Sequence, residues 1–254
     1  MEPVPRKPSI RIHPTVTDLH WRSGYLAALR GLAAGRPQGK SPVGLAPGNG
    51  KTGQTGSIFR TVFVWNLPAV ATCPAASSWC LSRCYNADSR TEVFPVADWL
   101  DNWSWFMTQP DRLAERICMQ LRDAEGPVAV RVHSSGDFFS EPYIAFWTEI
   151  ARRSATAAFW AYTRSWADPA LLEALDAMAA LPNVHLFASW DRSMPPPPAA
   201  WRISFVLYDP DDPIPEDVIG QSALCPEQDG RTMNCASCGF CMTRRSESIV
   251  FFLH

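Results

Sequence analysis

With 254 residues, 46% hydrophobic and 19% charged, the chain has a globular composition, large enough for one sizeable core or two small ones, and extended disorder is excluded. A formal net charge of −2 excludes strong overall attraction to nucleic acid. No apolar run approaches the length of a membrane helix, and the opening MEPVPRKPSIRIHP lacks the apolar centre of a secretory leader, so a reducing cytoplasm and no membrane contact are expected.

Residues 1–17 read as an extended lead punctuated by proline. Asp18 is placed to cap a helix predicted to run to about Ala34, with Tyr25, Leu26, Leu29 and Leu32 forming its apolar stripe. GRPQGKSPVGLAPGNGKTGQTG follows as a long Gly/Pro loop. It is not a Walker phosphate loop, because the pattern ending at Gly50-Lys51-Thr52 needs glycine at position 45, where Leu45 stands. Between Leu19 and Ala87 there is no Asp or Glu, while Arg22, Arg30, Arg36, Lys40, Lys51, Arg60 and Arg83 are present. This basic N-terminal region offers a contact to nucleic acid or a protein partner; the plain alternative is a solvated loop.

Short apolar runs then alternate with helical patterns. Predicted strands are Thr61–Leu67, Val128–His133, Ala157–Thr163, Val184–Ser189, Ile203–Tyr208 and Ser248–Leu253. Predicted helices cover about Val96–Ala124 with a break at Pro110, Glu141–Ser154, and Asp168–Leu181 with Asp168 as cap and Pro169 in the first turn. Alternating strands and helices imply right-handed β-α-β units and a parallel sheet. The expected fold is α/β, a partial (β/α)6 barrel with mostly parallel strands, preceded by the N-terminal helix and Gly/Pro loop; an open doubly wound sheet is the alternative. Two units are expected, an extension over 1–57 and an α/β domain over 58–254.

Polar residues collect where five predicted strands end: Asn66, His133-Ser134-Ser135-Gly136-Asp137, Thr163-Arg164-Ser165, Ser189-Trp190-Asp191 and Tyr208-Asp209. In parallel α/β folds these ends share one face, where ligands bind. His133 is a candidate for site chemistry or for a hydrogen bond to a ligand. Trp99, Trp103 and Trp105 suit core packing better than stacking on a base.

Seven of the eight cysteines fall at ligand spacings. Cys225, Cys235, Cys238 and Cys241 form C-x9-C-x2-C-x2-C, a compact run that suits an iron–sulfur cube and would close it, with zinc as the alternative at this group. Cys73, Cys80 and Cys84 form C-x6-C-x3-C and offer three thiolates rather than four. Three thiolates leave one iron of a 4Fe–4S cube open. Cys118 reads as a small buried apolar residue on a helix.

Three cysteines after the first core strand, Tyr85 after the third, six strands, and Ser134-Ser135-Gly136-Asp137 ending the second strand resemble the architecture of radical S-adenosylmethionine proteins. The usual spacing there is C-x3-C-x2-C, from which this chain departs. The resemblance implies one or two 4Fe–4S clusters, an external reductant, and S-adenosylmethionine as cofactor. It implies that Ser135, Gly136 and Asp137 hold the methionyl group, and that Thr163, Arg164, Ser189 and Asp191 contact its carboxylate or ribose. A redox-sensing regulator that binds DNA or protein without catalysis is the second reading. A binding protein with a four-cysteine zinc module is the third.

A further ordered series consists of G-N-x-K-x-G (Gly48–Gly53), Asn66-Leu67-Pro68-Ala69, T-C-P-A (Thr72–Ala75), Cys84-Tyr85, R-V-H-S-S-G-D-F (Arg131–Phe138), Tyr162-Thr163-Arg164 and the C-terminal cysteine run. It is similar to the gene-product-88-like family of phages, plasmids and other mobile elements. That resemblance implies a mobile-element setting, where transfer, gene regulation or modification of a nucleic acid or protein are the tasks.

Overall fold

The structure, a computed structural model, describes residues 43–82, 84, 86, 93–207, 213–215, 222–243 and 246–252. The predicted helix over 18–34 lies outside these residues, as do Tyr85, Tyr208 and Asp209.

Eight strands form one sheet: β1 (Ala46–Pro47), β2 (Thr61–Trp65), β3 (Val128–Val132), β4 (Ala158–Thr163), β5 (Val184–Trp190), β6 (Arg202–Leu207), β7 (Ser222–Leu224) and β8 (Ser248–Phe252). Their order is β1-β2-β3-β4-β5-β6-β8-β7, and all pairings are parallel except that of β1 with β2. The six long strands match the six predicted runs. β1 and β7 were not predicted, being two and three residues long, too short to carry a periodic signal.

Six α-helices are described: α1 (Ser78–Ser82), α2 (Val93–Thr108), α3 (Pro110–Asp123), α4 (Glu141–Arg153), α5 (Pro169–Ala179) and α6 (Cys235–Cys238). Gln109 separates α2 from α3, because Pro110 cannot continue the hydrogen-bond ladder of the helix before it. Asp168 caps α5 by accepting from Ala170 N at 3.0 Å, as its place before Pro169 predicts.

The strands read as continuous apolar runs because both sheet faces are covered. Helices α2 to α5 bury Leu100, Phe106, Ile117, Trp147 and Leu175 in one cluster with Trp65, Val130, Val132, Phe159 and Leu186 of the sheet. Alternate residues of the same strands, Val62, Ala129, Trp160, Phe187 and Ile249, point to the other face. Among the described residues no long helix covers them. The segment that carries Cys225, Cys235, Cys238 and Cys241 does so, packing Ala236, Phe240 and Met242 onto the sheet. The long parallel strands follow one another in sequence without the reversal of a doubly wound sheet, so the winding runs one way.

Residues 46–47 pair with β2, and the loop after them seats α6 from below. Cys235 N donates to Lys51 O at 3.0 Å, Ala236 N to Thr52 O at 2.9 Å, and Phe59 N to Ala236 O at 3.0 Å. This part of the Gly/Pro extension therefore packs on the α/β body. The loop's glycines allow the approach: a Cβ on Gly56 would stand 2.3 Å from the Ala236 carbonyl carbon. Gly56→Ala is expected to cost about 1–3 kcal/mol of stability by overpacking, read as a fall of several degrees in Tm by circular dichroism. An unchanged Tm would show that this loop does not seat the cysteine segment.

Candidate functional site

The first cysteine group begins where β2 ends. Pro68 O accepts from Thr72 N and Thr72 Oγ1, closing a tight turn, and Val70 lies inside it at φ 67°. A buried β-branched residue in the left-handed region is strained, and surrounding packing must hold it there. Ser77 caps α1: its Oγ accepts from Cys80 N at 3.0 Å, and its carbonyl accepts from Leu81 N. Cys73, Cys80 and Cys84 lie near enough to one another to interact electrostatically. Burial first, then the charge of Asp137 and the other two cysteines, push the Cys73 thiol well above its ordinary range.

The loop after β3 backs onto this turn. Asn66 Oδ1 accepts from Ser134 N and Ser135 N at 2.8 and 3.0 Å, and Ser135 Oγ donates to Leu67 O. Gly136 has φ 83°, and a Cβ there would stand 2.7 Å from both Leu67 Cβ and Thr72 Oγ1. Only glycine lets the two loops meet. Asp137 N then donates to Thr72 O.

Asp137 joins β3 to β4. Its carboxylate accepts from Thr163 Oγ1 at 2.6 Å, Arg164 N at 2.8 Å and Phe138 N at 2.8 Å. Burial nevertheless raises its pKa, against the opposing effect of these donors and of the Arg164 charge. Arg164 in turn pairs with Asp191, just after β5, at 3.3 Å, both side chains being buried. Asp191 also accepts from Ser77 and Ser193. Burial alone would raise the Asp191 carboxyl, but the Ser193 and Ser77 donors and the Arg164 guanidinium bring it below its usual value. Asp191 thus anchors α1, and through it the first cysteine group, to the sheet.

The second group folds around α6. Asn234 caps it by accepting from Ser237 N at 2.9 Å, and Gly239 ends it at φ 65°. Cys235 and Cys241 interact with Cys225, and Cys235 also with Cys238. Burial pushes Cys235 up to about 11, although Arg131 and Lys51 oppose it. Burial likewise pushes Cys241 up to about 12, opposed by the hydrogen bond from Tyr162 and by Arg202. Arg131 and Lys51 therefore act on Cys235, and Arg202 acts on Cys241.

All seven cysteines line a single cleft of about 480 Å³, and each is a free thiol. Ser135, Gly136, Asp137, Arg164 and Ser189 line it too, whereas Thr163 and Asp191 stand behind it and hold Asp137 and Arg164 in place. Trp99 faces the cleft, while Trp103 is buried in the helix-side core and Cys118 packs at its edge. Asn49, Lys51, Arg131 and Tyr162 also line the cleft, and sequence reasoning gave them no role there. The available signal was a polar residue inside an apolar strand, at Arg131 in VAVRV and Tyr162 in AFWAYT. Among the described residues, no three Cys, His, Asp or Glu side chains converge as ligands of one ion.

His133 closes the inner end of the cleft. It is 4% exposed and has φ 70°, uncommon for a residue with a side chain. Trp65 Nε1 donates to Tyr143 Oη at 2.7 Å, and Tyr143 Oη is hydrogen-bonded to His133 Nε2, 2.8 Å away. His133 Nδ1 is buried with no hydrogen-bond partner among the described residues. Burial and the charge of Arg131 lower the His133 pKa to about 3.

These features define a class: an α/β protein whose singly wound, mostly parallel sheet carries two thiol groups on one cleft. The chain belongs to the Gene product 88 family, whose model matches residues 43–244. It is 27% identical over 202 residues to the Gene 88 protein of Mycobacterium phage D29, covering 70% of this chain and 81% of that one. It is 33% identical over 104 residues to the Gene 88 protein of Mycobacterium phage L5, covering 36% of this chain and 42% of that one. No solved structure matches, so no structural match supports the likeness to radical S-adenosylmethionine proteins. No helix among the described residues is long and apolar enough to cross a membrane.

A His133 pKa of about 3, below the ordinary 6.5, means that folding favours the neutral ring. Its contribution is complete above pH 6.5 and is lost as pH falls below that value. Between pH 7 and pH 5 this loss amounts to about 2 kcal/mol. Denaturant unfolding of the wild type and of His133→Asn at both pH values should show the gap between them narrowing by about that amount at pH 5. A gap independent of pH would refute the buried neutral imidazole.

Proposed function

We propose that this chain is an iron–sulfur protein of a phage-borne family, with an open-site cluster on Cys73, Cys80 and Cys84 and a closed one on Cys225, Cys235, Cys238 and Cys241. The observation that carries the reading is that seven free thiols, in two electrostatically coupled groups, line one cleft. The donor set suits the cofactor. Thiolates are the soft ligands that iron–sulfur clusters take. Lys51, Arg131 and Arg202 offset the negative charge that such a centre carries. Zinc fits less well, because a tetrahedral site needs its sulfurs gathered about one point at about 2.3 Å, and no such convergence is present among the described residues. The thiolates of a cube bind different irons and need not converge.

The fold reading goes with this. We propose that the sheet curls as a partial (β/α)6 barrel with the cysteine-bearing segment on its inner side, a reading supported by the one-way strand order.

The first group leaves coordination open for a small molecule in the cleft, and we propose S-adenosylmethionine. A reduced cluster, when bound, supplies one electron to the sulfonium. The chain's own residues do the rest. Asn66 and Ser135 fix the loop that backs the three cysteines. Arg164, held by Asp191, offers positive charge to a carboxylate. Nδ1 of His133 offers a hydrogen-bonding atom, and Trp79 and Trp99 line the cleft with apolar surface.

Anaerobic reconstitution with iron and sulfide should give a brown protein holding iron and inorganic sulfide in the amount of two clusters. Cys80→Ala should lose one cluster and keep the other. With reductant, the wild type should convert S-adenosylmethionine to 5′-deoxyadenosine, and Cys80→Ala should not. A colourless, zinc-loaded sample would overturn the reading. Intact clusters without that product would leave a redox-responsive binding protein in its place.

A further inference from the structure

Tyr162 sits on the inner face of β4, in the middle of the sheet, with its hydroxyl 2.9 Å from Cys241 Sγ. The ring is confined on several sides. The Arg131 guanidinium lies over it at 5.5 Å, Phe187 packs at 5.3 Å, and Phe251 meets it edge-on at 5.3 Å. The hydroxyl therefore has little freedom to turn elsewhere. A phenylalanine would fill the same volume without a polar group to bury, so packing alone gives no reason for the oxygen. A neutral thiol is a weak acceptor, whereas a thiolate is a strong one. A buried hydroxyl aimed at this sulfur gains most when the sulfur carries negative charge.

The surroundings point the same way. Arg202 acts on Cys241, and Arg131 and Lys51 act on Cys235. Arg202 is fixed by donating from Nε to Glu247 O at 2.9 Å, and Lys51 by Glu227 at 3.6 Å. Hydrogen bonds to ligand sulfurs and nearby positive charge both stabilise the more negative, reduced form of a thiolate-held iron–sulfur centre, and both raise its potential.

We infer that Tyr162 is a potential-setting residue: its hydroxyl donates to Cys241 and raises the reduction potential of the cluster held by Cys225, Cys235, Cys238 and Cys241. That cluster is then an electron carrier rather than an inert staple. The inference rests on the iron–sulfur reading above. It also gives Tyr162-Thr163-Arg164 a shared purpose. Tyr162 serves the second cysteine group, Thr163 holds Asp137, and Arg164 holds Asp191 beneath the first group.

The test uses full-length protein carrying Cys80→Ala, so that only the second group is loaded, reconstituted anaerobically with iron and sulfide. Redox titration followed by electron paramagnetic resonance compares it with the same protein carrying Tyr162→Phe. With iron and sulfide content equal, the midpoint should move to a more negative potential. An unchanged midpoint overturns the inference and leaves the iron–sulfur reading intact. Failure of the unaltered chain to take up iron and sulfide overturns both. Should Tyr162→Phe not fold, 3-fluorotyrosine inserted at position 162 keeps the shape and strengthens the donor. The midpoint should then move to a more positive potential, and no movement would again overturn the inference.

Discussion

A parallel sheet must be covered on both faces, and in this protein one of the covers is built from thiols. Helices α2 to α5 shield one face with an ordinary apolar core. The other is shielded by the segment that runs through Cys225 to Met242, which packs Ala236, Phe240 and Met242 against Val62, Trp160 and Ile249. Because this layer is apolar where it meets the sheet, Arg131 and Tyr162 on the inner face have cysteines for neighbours.

The two cysteine groups come from opposite parts of the fold yet are tied through the same strand end. β4 finishes in Tyr162 and Thr163, Arg164 follows at once, and the three side chains leave in different directions. Tyr162 goes inward to Cys241, while Thr163 and Arg164 bind the carboxylates of Asp137 and Asp191. Asp191 holds Ser77, and Ser77 caps the helix of Cys80. A short chain of hydrogen bonds and one buried ion pair thus sets where the first group stands. Removing the Asp191 carboxylate would leave a buried guanidinium uncompensated, a costly change.

Much of the fold was legible because the six long strands and four long helices carry strong periodic or punctuating signals, such as the proline that separates α2 from α3. The gathering of the cysteines at strand ends was legible for the same reason, since parallel strands share one such end. What could not be read was the inner layer. Thr163 and Asp191 stand out in the sequence by their place at strand ends, whereas their bonds to Asp137 and Arg164 join residues from separate strands. GNGKTG departs from the Walker pattern, and its seating of α6 depends on contacts with residues far along the chain. Nothing local in the sequence encodes such a pairing.

The seating of α6 on the Lys51–Thr52 carbonyls brings together one of the first described stretches of the chain and one of the last. Contacts so distant in sequence form slowly, because a very long loop must be closed before they contribute any stability. The cleft therefore lacks the wall that α6 supplies until these two distant stretches have met. Until then its thiols face open water, where a cysteine is most open to oxidation.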